Sequence, residues 1–424
     1  MVRTILYRKL RQKYEDKTIQ KVSDEKFTLL PMNKQQLDKG KYMDKKNIIS
    51  KEDNVHIDYV YKLIECCFDI NVPDRNIIMK KLVNYLPHLS DIKNVTLIRF
   101  DIQNFFQSID IKKFYKELKR NKKIRLKEVE YIENALKNQK VLYPGISISN
   151  IISEVLGGKL DIEIKKKYPE IIFYSRYVDD FIIIFNEIIE EDKLVKEIKT
   201  IVEKTLGNSA SIHTKNNEKY HYMTSRVKEK HELIYLGYKF YFNKDLKITH
   251  YGISTEKIKK YKKILEKIMR NYSEDKNYHL FKERLDTFYK RSVFYGNRNS
   301  TKTWFSYGIS QNYKELKGIS LKQIDSQTKK LLSGSILFDI NNNNNIIEPK
   351  KLSNMINKLI NDKHFIKLFY KNKAIIFNSN IGLNNKQIEK LATKINFQLQ
   401  SNNYNEKVFE LLQYLMVLNK KSSL

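Results

Sequence analysis

Cysteine is almost absent: the 424 residues hold two, and Cys66 and Cys67 are neighbours. Adjacent cysteines cannot supply the separated ligand pairs of a structural zinc site, nor an ordinary disulfide framework. Long apolar runs are also missing, and none approaches the ~20 residues needed to span a bilayer as a helix. The first residues carry no apolar stretch of the kind that marks a secretory signal. Negative charge is the other shortage, with 49 Asp and Glu against 80 Lys and Arg. These absences argue against a disulfide-stapled secreted domain and against helical membrane spans. The expectation is a soluble, cytoplasmic protein with no membrane partner.

What is present points to a polyanion. The net charge is +31, and neutralising phosphates supplies most sequence-independent nucleic-acid affinity. A coding bias towards Lys, Ile and Asn inflates lysine on its own. It does not forbid compensating acidic residues, so a basic channel is expected. The 28 Tyr and 21 Phe interleave with lysines, as in Lys259-Lys260-Tyr261-Lys262-Lys263. Aromatic rings can stack on unpaired bases, although most of these belong to the core. The length suffices for two or three domains.

The sharpest local signal is Tyr177-Val178-Asp179-Asp180, set between the apolar runs Ile171 to Arg176 and Phe181 to Phe185. Ionised carboxylates resist leaving water, so two of them between buried strands imply a tight turn that offers them to a cation. An ordinary solvent-facing hairpin is the bland alternative. A second apolar run, Leu97 to Phe100, ends in Asp101 and is followed by a helical pattern from Ile111 to Leu118. Between them, Tyr143-Pro144-Gly145 leads through Ser149 into another helical pattern. Downstream, Ile234 to Phe240 reads as an apolar strand broken by Gly237.

In this order, the carboxylate strand, Gly-Ser helix, Asp-Asp hairpin and Leu-Gly strand resemble the palm of reverse transcriptases over about residues 95–245. The resemblance implies an α+β fold: an antiparallel palm sheet with packed helices, reduced fingers, a helical thumb and a helical C-terminal region. The corresponding divisions are 1–95 (reduced helical fingers), 96–248 (palm), 249–335 (helical thumb) and 346–424 (a small helical accessory module), with the run Asn341 to Asn345 as a loop or linker. It also implies RNA-directed DNA polymerase activity on dNTPs. Asp101, Asp179 and Asp180 are then catalytic. Together with the Ile102 carbonyl they hold two Mg²⁺ ions, with Mn²⁺ as the alternative.

The other roles come the same way. Phe106, five residues after Asp101, corresponds to the aromatic that blocks a ribose 2′-hydroxyl; the simpler reading makes Phe105 and Phe106 core residues at a strand end. Gly145, Ser149 and Tyr177 line the nucleotide site. Lys219, in Asn216-Asn217-Glu218-Lys219, approaches the triphosphate, with Lys215 as its competitor. Leu236 and Gly237 form the primer grip. Two departures stand out: Tyr143-Pro144-Gly145 where relatives carry Pro-Gln-Gly, and Asn150 where a Pro often follows the Ser.

No basic strand pair of the family's fingers is read in residues 1–95. Helical patterns occupy Val55 to Phe68 and Arg75 to Leu86, and Arg75, Lys80 and Lys81 read most simply as a solvated face. Further helical patterns cover Ile258 to Met269, Tyr278 to Phe294 and Leu316 to Leu332. Reduced fingers and the lack of an endonuclease resemble the bacterial defence-associated reverse transcriptases, the abortive-infection and unknown-group enzymes. The partners implied are a noncoding RNA template, the DNA product, dNTPs, and a partner protein or second copy. A retron-type enzyme is the alternative within the family. A non-catalytic nucleic-acid scaffold and an RNA-dependent RNA polymerase are the alternatives outside it.

Overall fold

The computed structural model describes residues 2–29, 34–36, 42–44, 51–139, 141–144, 147–215, 217–298, 301–371 and 374–416. The chain divides into two compact units, Met1–Glu229 with Lys244–Leu246, and Lys230–Asn243 with Lys247–Leu424.

The first unit opens with helices α1 (Val2–Leu10) and α2 (Asp16–Asp24), strands β1 (Lys34–Gln36) and β2 (Tyr42–Asp44), and helices α3 (Lys51–Cys67) and α4 (Arg75–Tyr85). It continues with β3 (Thr96–Asp101), α5 (Phe105–Ser108), α6 (Ile111–Arg120), α7 (Leu126–Leu136) and α8 (Ser147–Lys167). Then follow β4 (Ile171–Tyr177), β5 (Asp180–Phe185), α9 (Glu191–Leu206) and β6 (His221–Thr224). The sheet order is β4-β5-β3-β6, and every pairing in it is antiparallel. β3 and β5 are the central strands, which is why Thr96 to Asp101 and Phe181 to Phe185 are buried throughout. Helices α8 and α9 join the same apolar cluster through Ile152, Leu156, Ile198 and Val202. This sheet with packed helices is the α+β palm implied by the motif order.

Local capping explains several boundaries. The Asp74 carboxylate accepts the N–H groups of Asn76 and Ile77 at the start of α4, and Asp110 accepts that of Lys112 at the start of α6. Such caps satisfy N–H groups that have no partner within the helix. Residues 1–95 are not wholly helical, because β1 and β2 pair antiparallel with Lys34 opposite Asp44.

The second unit contains β7 (His231–Tyr235), β8 (Tyr238–Phe242), β9 (Ile248–Ile253), α10 (Thr255–Asp275) and α11 (Tyr278–Tyr289). Next come the hairpin β10 (Ser292–Arg298) and β11 (Thr301–Tyr307), then α12 (Ile309–Asn312), α13 (Ser326–Ser333) and α14 (Ile336–Asn344). The unit ends with α15 (Pro349–Asn361), α16 (His364–Tyr370), β12 (Ile375–Phe377), α17 (Asn385–Lys394) and α18 (Tyr404–Met416).

Several expectations change here. The expected palm, 96–248, crosses the division between units, and Ile234 to Phe240 is not one strand but the β7–β8 hairpin. The helical pattern read over Tyr278 to Phe294 stops at Tyr289, where a strand begins at Ser292. That over Leu316 to Leu332 is helical only from Ser326, after short 3₁₀ turns. Neither the thumb segment nor the C-terminal one is purely helical, because β12 of the latter pairs parallel with β10 of the former. The run Asn341 to Asn345 is a helix end, not a linker. Asn341 is buried, and its side chain donates to the Ile347 carbonyl (2.8 Å) and accepts the Ile347 N–H (2.9 Å).

Candidate active site

Register brings the carboxylates together. β3 and β5 pair with Asp101 directly opposite Asp180. β4 and β5 pair with Tyr177 opposite Asp180, leaving Val178 and Asp179 as a two-residue turn. Val178 sits at φ +61°, a conformation that strains a β-branched residue by about 1–3 kcal/mol. The Ile102 N–H donates to the Asp179 carbonyl (3.1 Å), and the His213 N–H to that of Asp101 (2.9 Å). The turn is thereby stitched to the end of β3.

Each carboxylate has a different environment. Asp101 is buried, and the Lys219 ammonium donates to both its oxygens at 3.0 Å. Asp180 is gripped by Arg99, which donates from Nε and Nη2 at 3.0 Å each, a two-toothed pair. Arg99 lies two residues before Asp101 on β3, the diagonal neighbour of Asp180 across the ladder. Its Nη1 also donates to the Glu218 carbonyl at 3.0 Å, fixing the residue before Lys219. Asp179 has its carboxyl pushed up to about 6, first by burial and then by the negative charge of Asp101, with Lys219 opposing. Asp180 is also raised by burial, with Arg99 working against the rise.

A second network lies behind the turn. Arg176 is buried on β4 and donates to Asp161 from Nε (2.8 Å), to Glu154 from Nη2 (2.9 Å) and to the Val178 carbonyl from Nη1 (3.2 Å). Glu154 and Asp161 stand on α8, so the guanidinium ties that helix to the strained residue. These two carboxylates outweigh desolvation and push the guanidinium further towards its charged form. Gly157 lies between them on the helix, and a Cβ there would come 2.6 Å from Arg176 Cζ. The helix has room for the guanidinium only because that side chain is missing.

The structure therefore groups Asp101, Ile102, Asp179, Asp180, Tyr177 and Lys219. Lys215, the competitor, is engaged by Glu191 and Asp192. Phe105 is buried and Phe106 only partly so, with their rings edge to face at 5.5 Å. Phe105 is the core member of the pair. Ser149 is buried on α8, and its hydroxyl accepts the Tyr143 N–H at 3.2 Å. Gly145 and Asn216 lie outside the described residues. Leu236 and Gly237 belong to the second unit, where they form the β7–β8 turn. Arg75 starts α4, and Lys80 and Lys81 are exposed on it, as a solvated face requires.

Sequence reasoning passed over Arg99, Glu154, Asp161 and His213. Arg99 had a signal: a cation two residues from an aspartate inside an otherwise apolar run demands a buried partner. His213 Nε2 lies 3.6 Å from Asp101 Oδ1, and nothing in its own segment announces that.

Among the described residues no three His, Cys, Asp or Glu side chains gather into a cation cage. The Asp101–Asp179 pair nevertheless fits Mg²⁺, which usually takes one or two carboxylates and completes its shell with water and phosphate oxygens. The raised Asp179 carboxyl beside the charge of Asp101 is an electrostatic conflict that a divalent cation relieves.

No curated protein is similar enough to count as a match. Among solved structures, the chain is similar to telomerase from Candida albicans in complex with a fragment of telomeric RNA, at 12% identity and a TM-score of 0.40. That similarity covers 96% of this chain and 66% of the other. It is also similar to apo telomerase from Candida tropicalis, at 10% identity and a TM-score of 0.36, covering 92% of this chain and 69% of that one. A C-terminally truncated form from the same species gives 14% identity and a TM-score of 0.36, covering 51% of this chain and 54% of that one. The chain thus spans between about half and about two thirds of the length of these structures. Residues 3–240 match the family described as reverse transcriptase (RNA-dependent DNA polymerase). That is more than half of the chain, and it includes all three aspartates: the protein belongs to the reverse transcriptase family.

Proposed function

We propose that the protein synthesises DNA from dNTPs by nucleotidyl transfer. A 3′-hydroxyl, or another hydroxyl acting as primer, attacks the α-phosphate and pyrophosphate leaves. The observation that carries this reading is the register of Asp101 opposite Asp180, with Asp179 in the adjoining turn. When bound, two Mg²⁺ ions would stabilise the charge on the attacking and leaving oxygens. Asp101 and Asp179 are the residues to hold them. Arg99 favours the ionised form of Asp180 and holds it in place, and Arg176 holds the turn. In this reading Lys219 would neutralise triphosphate oxygens, and Phe106 would exclude a ribose 2′-hydroxyl and so select DNA over RNA as product.

The biological setting proposed is bacterial antiviral defence in the cytoplasm, with DNA made on a noncoding RNA template or without a nucleic-acid template. Support comes from the Tyr143-Pro144-Gly145 and Asn150 departures, which point away from retroviral and mobile-intron enzymes.

The test is dNTP incorporation by the purified protein with Mg²⁺ or Mn²⁺, resolved on denaturing gels before and after RNase and proteinase treatment. Asp179→Asn/Asp180→Asn runs alongside, and rNTPs replace dNTPs in one arm. Product that disappears in the variant supports the polymerase; RNase sensitivity then indicates a bound RNA template, and a proteinase-dependent mobility shift indicates a protein primer. Phage protection that survives the substitution would favour the scaffold. Incorporation of rNTPs alone would make the enzyme an RNA polymerase.

A further inference from the structure

Asp101 and Asp180 are held by cations in unlike settings. Arg99 is nearly enclosed: its guanidinium gives two bonds to Asp180 and a third to the Glu218 carbonyl, and only 8% of its side chain meets solvent. Lys219 is the opposite. Its ammonium spans both oxygens of Asp101 at 3.0 Å, yet 47% of its side chain is exposed, against 6% of that of Asp101. Among the described residues the ammonium has no hydrogen-bond partner besides Asp101. An ion pair with one member half in water adds little stability, so Lys219 gives up its partner far more readily than Arg99 does.

The backbone under Lys219 is fixed while its stem is free to swing. The Lys219 N–H donates to Asn217 Oδ1 (2.9 Å), the Asn217 side chain meets His213 Nδ1 (3.0 Å), and Arg99 holds the Glu218 carbonyl. Lysine carries its charge on a flexible four-carbon stem, so a pinned backbone still leaves the ammonium room to move. Its charge also reaches Asp179 and Asp180. The three carboxylates thus face two cations, and withdrawing Lys219 doubles the excess of negative charge at the turn.

We propose that Lys219 gates metal entry: its ammonium competes with a divalent cation for the two oxygens of Asp101, so that the site admits the cation together with a nucleoside triphosphate and holds a free cation weakly. This rests on the reading of Asp101 as a metal ligand and of Lys219 as a triphosphate contact. The phosphates draw Lys219 away, and its departure frees the oxygens that the cation needs. Each ligand therefore favours the other, a coupling that is reciprocal. A purely bracing role for Lys219 fits less well, because a group kept only to hold Asp101 would be enclosed as Arg99 is.

The intact chain is titrated with Mn²⁺ without primer or template, and the free ion is read from its electron paramagnetic resonance signal, which needs no turnover. Without nucleotide, Lys219→Met should tighten Mn²⁺ binding roughly tenfold, the effect of removing one positive charge about 5 Å from a dication in water. Lys219→Arg, which keeps the charge, should change it much less. Lys215→Met should leave it alone, since Glu191 and Asp192 hold that ammonium. With a non-hydrolysable dNTP the order should invert, the parent binding metal and nucleotide together more tightly than Lys219→Met. A variant that merely loosened the fold would weaken binding in both arms. If Asp101→Asn abolishes Mn²⁺ binding but Lys219→Met fails to tighten it, the gate is overturned and the metal site stands. Mn²⁺ binding indifferent to Asp101→Asn overturns the metal site and the gate with it. In the parent chain, acylation of Lys219 followed by mass spectrometry should rise with Mn²⁺ alone and fall when the nucleotide joins it. Acylation unmoved by saturating Mn²⁺ overturns the gate without relying on any variant to fold.

Discussion

The two units each contain a hairpin closed by a two-residue turn with a non-glycine residue at positive φ, and they support that strain by opposite means. In the β4–β5 turn Val178 is at φ +61°, held by the Arg176 guanidinium on its carbonyl and by the Ile102 bond to Asp179. In the β7–β8 turn Leu236 is at φ +46° and Gly237 at +83°, the positive pair of a type I′ turn. There a backbone hydrogen bond and close packing lend support. The Gly237 carbonyl accepts the Ser254 N–H at 2.9 Å, and a Cβ on Gly237 would come 3.3 Å from the Tyr313 hydroxyl. The first turn is braced by buried charge, the second by the absence of a side chain. A charge-braced turn can present carboxylates that a glycine-braced one has no means to hold in place.

The largest expected effect comes from breaking the charge brace. Arg176→Ala strands Glu154 and Asp161 without their cation, and loss of one side of a buried ion pair costs about 3–5 kcal/mol. Chemical denaturation should register that loss, and dNTP incorporation should fall further than the folded fraction accounts for. An unchanged midpoint would mean that the network is not what holds the turn. Gly157→Ala is the gentler form of the same experiment. Its Cβ displaces the guanidinium without removing it, and overpacking of this kind costs about 1–3 kcal/mol. Rate loss beyond what that destabilisation accounts for is the expected split, since the displaced group is the one on Val178.

Gly237→Ala attacks the other turn. A side chain in the left-handed region costs roughly 1–2 kcal/mol, with the crowding at Tyr313 added. Stability should drop by that amount at any pH between 5 and 8, because the turn itself carries no titrating group. Thermal melts of the variant at several pH values check this, and a pH-dependent offset would show that nearby charges take part after all.

Legibility followed the same divide. The Asp179-Asp180 turn was readable because two acidic residues interrupted apolar runs, and Asp101 because it ended one. Lys219 was singled out only by spacing; that it reaches Asp101 while Glu191 and Asp192 engage Lys215 is a fact of tertiary packing. The partners of Arg99 and Arg176 were hidden because ion pairs across strands and onto α8 leave no local periodicity. The Leu236-Gly237 turn was read as a strand, since an apolar residue at the first turn position gives none of the usual Asn or Asp signal. The β10 strand was absorbed into a helical reading because Val293 and Phe294 happen to continue the three- and four-residue spacing of α11. β1 and β2, three residues each and largely polar, carry too short a pattern to be seen.

The smallest effect is also the one that separates the two turns by sign. Burial and then the charge of Asp101 push the Asp179 carboxyl up to about 6 in the folded protein, from an ordinary value of about 3.8. The native state therefore binds this proton more tightly than the unfolded chain, and this contribution to stability falls as pH rises from about 4 to about 6. Above that window the ionised group is a burden, about 1–2 kcal/mol after discounting for its partial exposure. In chelator-treated protein Asp179→Asn should consequently be more stable than the parent at pH 7, with the gap closing as the pH falls towards 5. Added Mg²⁺ should reverse the order, because the cation favours the carboxylate that the amide has lost. Denaturation midpoints of the two proteins at pH 5 and 7, with and without Mg²⁺, give the answer. A gap that ignores both pH and cation would place Asp179 in an ordinary solvated turn, and the contrast with Gly237 would then be one of sterics alone.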